Sequence, residues 1–324
     1  MDYAIFAKRP GNADVLERRP IEMPTPGVGE VVIKQSAIGL NYIDVYHRSG
    51  AYPWPKSNDL IVGSEGAGTV IALGEGVDNL SVGDRVAYTD PLNAYATCRA
   101  INADRVVRLP YDVSDEVGAA IMLKGLTAHY LIHDTFAVKT GQTVLVHAAA
   151  GGVGLLLGQW LRAKGVRAIG TAGGPKKCAI AMANGYSDVI DYHAQDFVPI
   201  VRELTHGRGV DAVYDSVGQS TWRGSLAVLR HHGHFVNFGQ SSGPVSGFLL
   251  GDLAKGSFHA CRPVLFHYIS DPSELAHRGA ALFNAIQSGI LRCPISNRFS
   301  LENAADAHRA LEARSTTGLS VLVP

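Results

Sequence analysis

The run His147-Ala148-Ala149-Ala150-Gly151-Gly152-Val153-Gly154, with Lys176 and Lys177 further on, holds the groups in this chain best suited to bind an anion. Ala149, Gly151 and Gly154 fall at the spacings of G-x-G-x-x-G, with alanine in the first place. Small residues there permit a tight turn, close approach of backbone to a pyrophosphate, and a helix lying close on its sheet. Free N–H groups at the helix start then face the phosphate. In NAD-binding chains an acidic residue follows by about 20 positions, at the end of the second strand. Here that strand ends in Gly170-Thr171-Ala172-Gly173-Gly174-Pro175-Lys176-Lys177, without a carboxylate. A 2′-phosphate is attracted by lysine and repelled by aspartate, so NADPH is the expected cofactor. The plainer reading is that the two lysines only solvate the first turn of a helix. Lysine there opposes the helix dipole, which favours an anionic partner.

A turn of this kind needs a strand before it and a helix after it. Thr143–Ala149 reads as an apolar strand and Gly152–Lys164 as a helix. Strands at Val166–Ala172, Asp188–Tyr192, Val210–Val217 and Gly233–Gly239 alternate with helices at Pro175–Asn184, Ala194–Thr205 and Thr221–Leu229. Apolar strands separated by helices imply a parallel sheet covered on both faces, an α/β fold. Before residue 115 the chain reads as β: Glu30–Ala37, Gly66–Leu73 and Arg85–Tyr88 are short, rich in Val and Ile, and bounded by turn residues. Pro272–Ser288 and Leu301–Arg314 read as helices and Leu319–Val323 as a strand, with the tail expected to return to the first domain.

Length and composition agree. A chain of 324 residues suggests about two domains. Lys+Arg and Asp+Glu are both 29, so no basic excess advertises nucleic acid. Val144–Leu161 approaches bilayer length, but His147, Gln159 and a cluster of glycines argue against a span. Cys98, Cys178, Cys261 and Cys293 form no CxxC pair, and no signal peptide is evident. A reducing cytoplasm is the expected setting.

Other polar groups carry weaker signals. Arg230-His231-His232-Gly233-His234 reads as a polar loop rather than a metal site, having no nearby carboxylate or cysteine. Cys98 lacks an evident base. Asp44 either holds a loop or caps a turn. Trp160 reads as a core or interface residue.

The segments AIGLNYIDVYHRSGAYP, GSEGAGTV, VGDRV, LKGLTAHYL, HAAAGGVG, VYDSVG and VNFGQSSG, in that order, make a specific combination. With them the chain resembles the zinc-independent quinone oxidoreductases, the ζ-crystallin-like group of the medium-chain dehydrogenase/reductase superfamily. The resemblance implies a GroES-like catalytic β domain at residues 1–124, completed by 291–324. It also implies a Rossmann NADPH-binding domain, a doubly wound parallel sheet, at 125–290. A cleft between the two, and a homodimer paired through Rossmann sheet edges, are implied as well. Zinc alcohol dehydrogenases of the superfamily have Cys where this chain has Asn41 and His where it has Ser64, and neither replacement is a usual zinc ligand. No metal is expected. An alcohol needs a Lewis acid to lose its proton, whereas a quinone or conjugated enone is already electrophilic.

Carried over residue by residue, the resemblance implies that Asn41, Tyr46 and Tyr52 line the substrate cleft, with no dedicated acid or base. Each tyrosine either donates to the quinone oxygen or only packs against the ring. Asn41, Lys124, Thr127 and Tyr130 are expected to seat the cofactor. Gly152, Val153 and Gly154 carry the pyrophosphate in this reading, and Gly173, Lys177 and Tyr192 surround the adenosine phosphate. Ser216, Phe238, Gly239 and Ser241 lie beyond the ends of two strands, where ligands of open α/β sheets bind. The expected reaction is NADPH-dependent reduction of a small quinone. A 2-alkenal or enone reductase is the alternative, and a non-catalytic nucleotide- or RNA-binding protein is a third class.

Overall fold

The computed structural model describes residues 1–54 and 59–324. Its strands begin with β1 (Tyr3–Ala7), β2 (Leu16–Pro20), β3 (Glu30–Gly39), β4 (Leu60–Ile61), β5 (Glu65–Leu73), β6 (Arg85–Thr89), β7 (Cys98–Asn102) and β8 (Val106–Arg108). There follow β9 (Thr143–Val146), β10 (Arg167–Ala172), β11 (Asp188–Asp191), β12 (Val210–Asp215), β13 (Leu229–Asn237), β14 (His259–Cys261), β15 (Ile295–Ser300) and β16 (Leu319–Val323). The helices are α1 (Tyr42–Ser49), α2 (Asp115–Tyr130), α3 (Gly152–Ala163), α4 (Pro175–Ala183), α5 (Phe197–Leu204), α6 (Trp222–Ala227), α7 (Leu265–Tyr268), α8 (Pro272–Gln287) and α9 (Ala304–Glu312). Two compact units result. One comprises Met1–Leu126, Tyr268–Gln287 and Cys293–Pro324, the other Thr127–His267 and Ser288–Arg292.

The first unit is built on a mainly antiparallel sheet ordered β15-β16-β3-β5-β6-β8, with β7 also on β3. Its centre is β3, whose Val31, Ile33 and Ile38 enter one core with Val70, Val86, Tyr88 and Leu322. The tail returns to this unit: β16 pairs with β3 through Val321↔Gly39 and Leu322↔Ile38. Helix α8 also packs here, although the sequence boundary at 290 grouped it with the second domain. Leu275 and Leu282 are buried, a Cβ at Gly125 would collide with Leu282, and one at Gly279 would lie 3.1 Å from Val107. Arg105 Nη1 donates to the Ile269 carbonyl at 2.6 Å beside it. An amphipathic pattern shows that a face is buried, not which unit buries it.

In the second unit the sheet order is β11-β10-β9-β12-β13-β14, with every pairing parallel. Numbered within the unit this is 3-2-1-4-5-6, the dinucleotide-binding order. Leu145, Ile169 and Val213 of the central strands pack with Trp222 and Phe235. Strand β13 starts at Leu229 rather than Gly233, so Arg230–His232 lie in a strand and not in a loop. The register with β12 shifts between Val210 and Ala212, and His232 has φ 60°. A sixth strand, β14, is short and exposed and gave no apolar pattern. Among the described residues no helix is long and apolar enough to cross a membrane.

Candidate active site

At the end of β9 the backbone bonds both neighbouring strands, His147 N to Tyr214 O at 3.0 Å and Ala149 N to Thr171 O at 3.0 Å. Gly151 N then closes the turn on Ala148 O at 2.9 Å. The tight corner falls on Ala148, with φ 54°. An L-residue in this left-handed region costs about 1–2 kcal/mol, so the surrounding turn must hold it. Gly151 is the N-cap of α3 and brings no side chain to the first N–H groups. Those groups have no partner within the helix and suit an anion. A Cβ at Gly154 would collide with the Ala148 carbonyl and lie 2.7 Å from the Ala149 carbonyl. The uncapped helix start and the space kept open by absent side chains fit a dinucleotide pyrophosphate.

The loop after β10 is held from the next strand. Asp191 Oδ1 accepts from Gly174 N at 2.8 Å and His193 N at 3.0 Å. Those two N–H groups lower its carboxyl. Gly174 has φ 87° and Gly173 leaves room for Tyr192, whose hydroxyl would lie 2.7 Å from a Cβ there. Lys177 stands in the first turn of α4, which this loop opens, and Tyr192 is exposed.

Ser216, Phe238, Gly239 and Ser241 come together beyond β12 and β13. Phe238 N donates to Asp215 O at 2.8 Å and Ser241 N to Ser216 O at 3.2 Å. A Cβ at Gly239 would lie 2.6 Å from the Ser216 carbonyl. Beneath them is a polar network that sequence reasoning missed. Fully buried Asp215 accepts from Val217 N, Gly218 N, Thr221 Oγ1 and Ser225 Oγ at 2.7–3.0 Å. His147 reaches Ser225 Oγ at 3.0 Å and Thr171 Oγ1 at 2.9 Å, and burial lowers its pKa. The available signal was a polar residue at the C-terminal end of each apolar strand: His147, Thr171, Asp215. Lys124, Thr127 and Tyr130, three apart on α2, are all buried.

In the first unit, Asn41 precedes α1, and its Nδ2 donates to Glu65 Oε1 at 2.8 Å. The Tyr46 ring packs against that of Tyr52 with centroids 5.1 Å apart. Tyr52 N donates to Tyr46 O at 3.1 Å. Asp44 both holds a loop and caps a helix. Its Oδ2 accepts from Asn41 N at 2.9 Å and Tyr95 OH at 3.1 Å, and its Oδ1 from Ser64 Oγ at 2.8 Å. Burial raises this carboxyl to about 7, against the lowering effect of those bonds. The folded protein thus holds the proton more tightly than the unfolded chain. That stabilisation is complete below the ordinary value of 3.8 and is lost as pH rises through about 7. Urea midpoints are expected to fall less between about pH 4 and pH 8 in Asp44→Asn than in the parent.

The network continues through Tyr95 OH to His308 Nε2 at 3.0 Å and from Arg48 Nη1 to His308 Nδ1 at 3.2 Å. Burial and the Arg48 charge push His308 down to about 3, so the ring is neutral. Arg48 donates at 2.9 and 2.7 Å to Glu312 as well. Arg48→Met is expected to cost about 3 kcal/mol in urea unfolding, the low end for breaking a buried pair. The low end applies because the Glu312 side chain remains 37% exposed.

Among the described residues, no group of three or more His, Cys, Asp or Glu is placed to hold a metal ion. Residues 27–142 match the alcohol dehydrogenase GroES-like domain and residues 152–274 the zinc-binding dehydrogenase family model. A quinone oxidoreductase of Pseudomonas aeruginosa is 46% identical over 97% of each chain. A 2-haloacrylate reductase of a Burkholderia species is 39% identical over 100% of this chain and 99% of its own. The solved Escherichia coli quinone oxidoreductase in complex with NADPH superposes with a TM-score of 0.96 at 40% identity, over 99% of this chain and 100% of that one. With near-complete coverage at these identities, the chain belongs to the quinone oxidoreductase family of the medium-chain dehydrogenase/reductase superfamily.

Proposed function

We propose that this protein is an NADPH-dependent reductase that transfers hydride to small quinones without a metal. The observation that carries the reading is the uncapped glycine turn of α3, followed by a β10–α4 junction whose own residues bring two lysines in the first turn of α4 and no carboxylate. Gly152, Val153 and Gly154 would hold the pyrophosphate of NADPH, and Gly173, Lys177 and Tyr192 its 2′-phosphate. Thr127, Tyr130, Ser216, Phe238, Gly239 and Ser241 would seat the rest. When bound, NADPH supplies the hydride from its nicotinamide. Asn41, Tyr46 and Tyr52 would line the acceptor site and orient the ring, and no side chain serves as dedicated base. Lys124 brings a positive charge and Asn41 an amide. The unit of Met1–Leu126, Tyr268–Gln287 and Cys293–Pro324, which includes α8, is read as the catalytic domain, and that of Thr127–His267 and Ser288–Arg292 as the cofactor domain.

We read the protein as a cytoplasmic homodimer. Cys98, Cys178, Cys261 and Cys293 are all free. Strand β14 ends its sheet with no further partner among the described residues, and Leu249, Leu250 and Val264 nearby in sequence are exposed. Such an edge suits pairing with a second copy. Sedimentation should then give twice 34.5 kDa.

The relative named 2-haloacrylate reductase supports a second reading, an activated alkene as acceptor. Initial rates of NADPH and NADH oxidation with 1,4-benzoquinone and with 2-hexenal, with and without chelator, separate the two. Quinone turnover that prefers NADPH and ignores chelator supports the first reading. Turnover of the enone alone replaces the substrate. No oxidation with any acceptor sinks both.

A further inference from the structure

Glu65 is fully buried in the first unit, yet three donors converge on it. Its Oε1 accepts from Asn41 Nδ2 at 2.8 Å and from Lys124 Nζ at 2.5 Å. Its Oε2 accepts from Leu123 N at 2.7 Å, a donor in the middle of α2. The approach depends on Gly39, where a Cβ would collide with both the Glu65 carboxylate and the Ala119 carbonyl of α2.

This convergence sets two functional ends at once. An asparagine amide donates through nitrogen and accepts through oxygen. With Nδ2 committed to a carboxylate, Asn41 cannot flip without facing oxygen against oxygen. Lys124 is only 6% exposed, and a buried ammonium requires a counter-charge. Among the described residues, Glu65 is the only carboxylate paired with it, although its field also reaches Asp44.

We propose that Glu65 is a positioning residue for hydride transfer, locking the Asn41 amide and the Lys124 ammonium into one preorganised pair. The proposal rests on the reading that Asn41 and Lys124 serve NADPH and its acceptor. Hydride arriving at a quinone or enone carries two electrons, negative charge develops on a carbonyl oxygen, and solvent supplies the final proton. A fixed cation and a fixed amide act most strongly where such charge develops, because they need no reorganisation at that moment.

The test compares Glu65→Gln, Glu65→Asp, Lys124→Met and the Gln/Met double variant, with melting curves confirming that each is folded. Glutamine keeps the shape but must turn a donor toward Leu123 N or toward the Asn41–Lys124 pair. Glu65→Gln is expected to lower kcat at least about tenfold and to raise KM for NADPH less than kcat falls. Glu65→Asp, which keeps the charge, should recover most of the lost kcat. In the double-mutant cycle, Glu65→Gln should cost less than about threefold on top of Lys124→Met. Kinetics unchanged in Glu65→Gln, full additivity in the cycle, or Asp as poor as Gln would each overturn the assignment. If Glu65→Gln does not fold, the cycle pairs Asn41→Ala with Lys124→Met instead: overlapping kcat losses support one preorganised pair, and fully additive losses overturn it. If the parent binds NADPH but reduces no acceptor, the functional reading falls on its own. Glu65 is then judged by NADPH fluorescence titration, where Gln must weaken binding at least about threefold and Asp restore it. Unchanged affinity there rejects it.

Discussion

Lys177→Glu is expected to raise KM for NADPH by about two orders of magnitude, while kcat at saturation stays near the parent value. A charge-assisted bond to phosphate contributes about 1.5–3 kcal/mol, and the new carboxylate adds repulsion to that loss. Roughly 1.4 kcal/mol corresponds to a factor of ten in binding. Phosphate and nicotinamide lie at opposite ends of the cofactor, so weakened binding need not slow the hydride step. NADH, lacking the 2′-phosphate, should lose much less, and the preference between the cofactors should collapse or invert. Lys176→Glu is the control: Lys176 is exposed in the same first turn and should have a smaller effect. Initial rates with both cofactors read all of this. An unchanged KM for NADPH in Lys177→Glu would remove the anion reading of the loop.

Gly154→Val is expected to weaken NADPH binding at least about a hundredfold, consistent with the 1 Å precision that oriented sites demand. The added Cβ meets the carbonyls of Ala148 and Ala149, which are backbone and cannot swing aside. Helix α3 would have to move away from the turn, and its leading N–H groups with it. Leu156, Leu157 and Leu161 pin the other side of α3 in the core, so the strain should appear as lower stability too. Fluorescence titration and thermal melting distinguish the two losses. Retained NADPH affinity in a folded Gly154→Val would show that the turn does not carry the pyrophosphate.

The parts legible in sequence were those with strong local signals. Apolar strands β9, β10 and β12 and the glycine-led start of α3 stood within a few residues of expectation, because burial on both faces leaves a continuous pattern. The short β14 was invisible, since an exposed edge strand of His, Ala and Cys has no apolar signature. The first half of β13 read as loop because its residues are charged or histidine. For the candidate site, the glycines and Lys177 can be proposed from sequence because the chemistry argued for them is backbone and charge. Glu65 stands out in the sequence only within GSEGAGTV, and Asp215 only within VYDSVG. Their contacts are with partners 24 to 59 residues away for Glu65, and with loop N–H groups whose direction no periodicity encodes for Asp215. Ala148 carries the positive φ although three glycines follow within six residues, and its residue type does not mark that corner.

The pairing of β16 with β3 imposes an order of assembly. Residues 38 and 39 find their partners at 322 and 321, so almost the whole chain must be synthesised before that sheet can close. The second unit draws on residues 127–267 and 288–292 alone and can gather its strands earlier. Long-range pairing carries a loop-closure cost before any contact offsets it. During refolding, amides of Val144–Val146 should gain protection from hydrogen exchange ahead of those of Ile38 and Gly39. Strand β3, made well before β9, is thus completed after it.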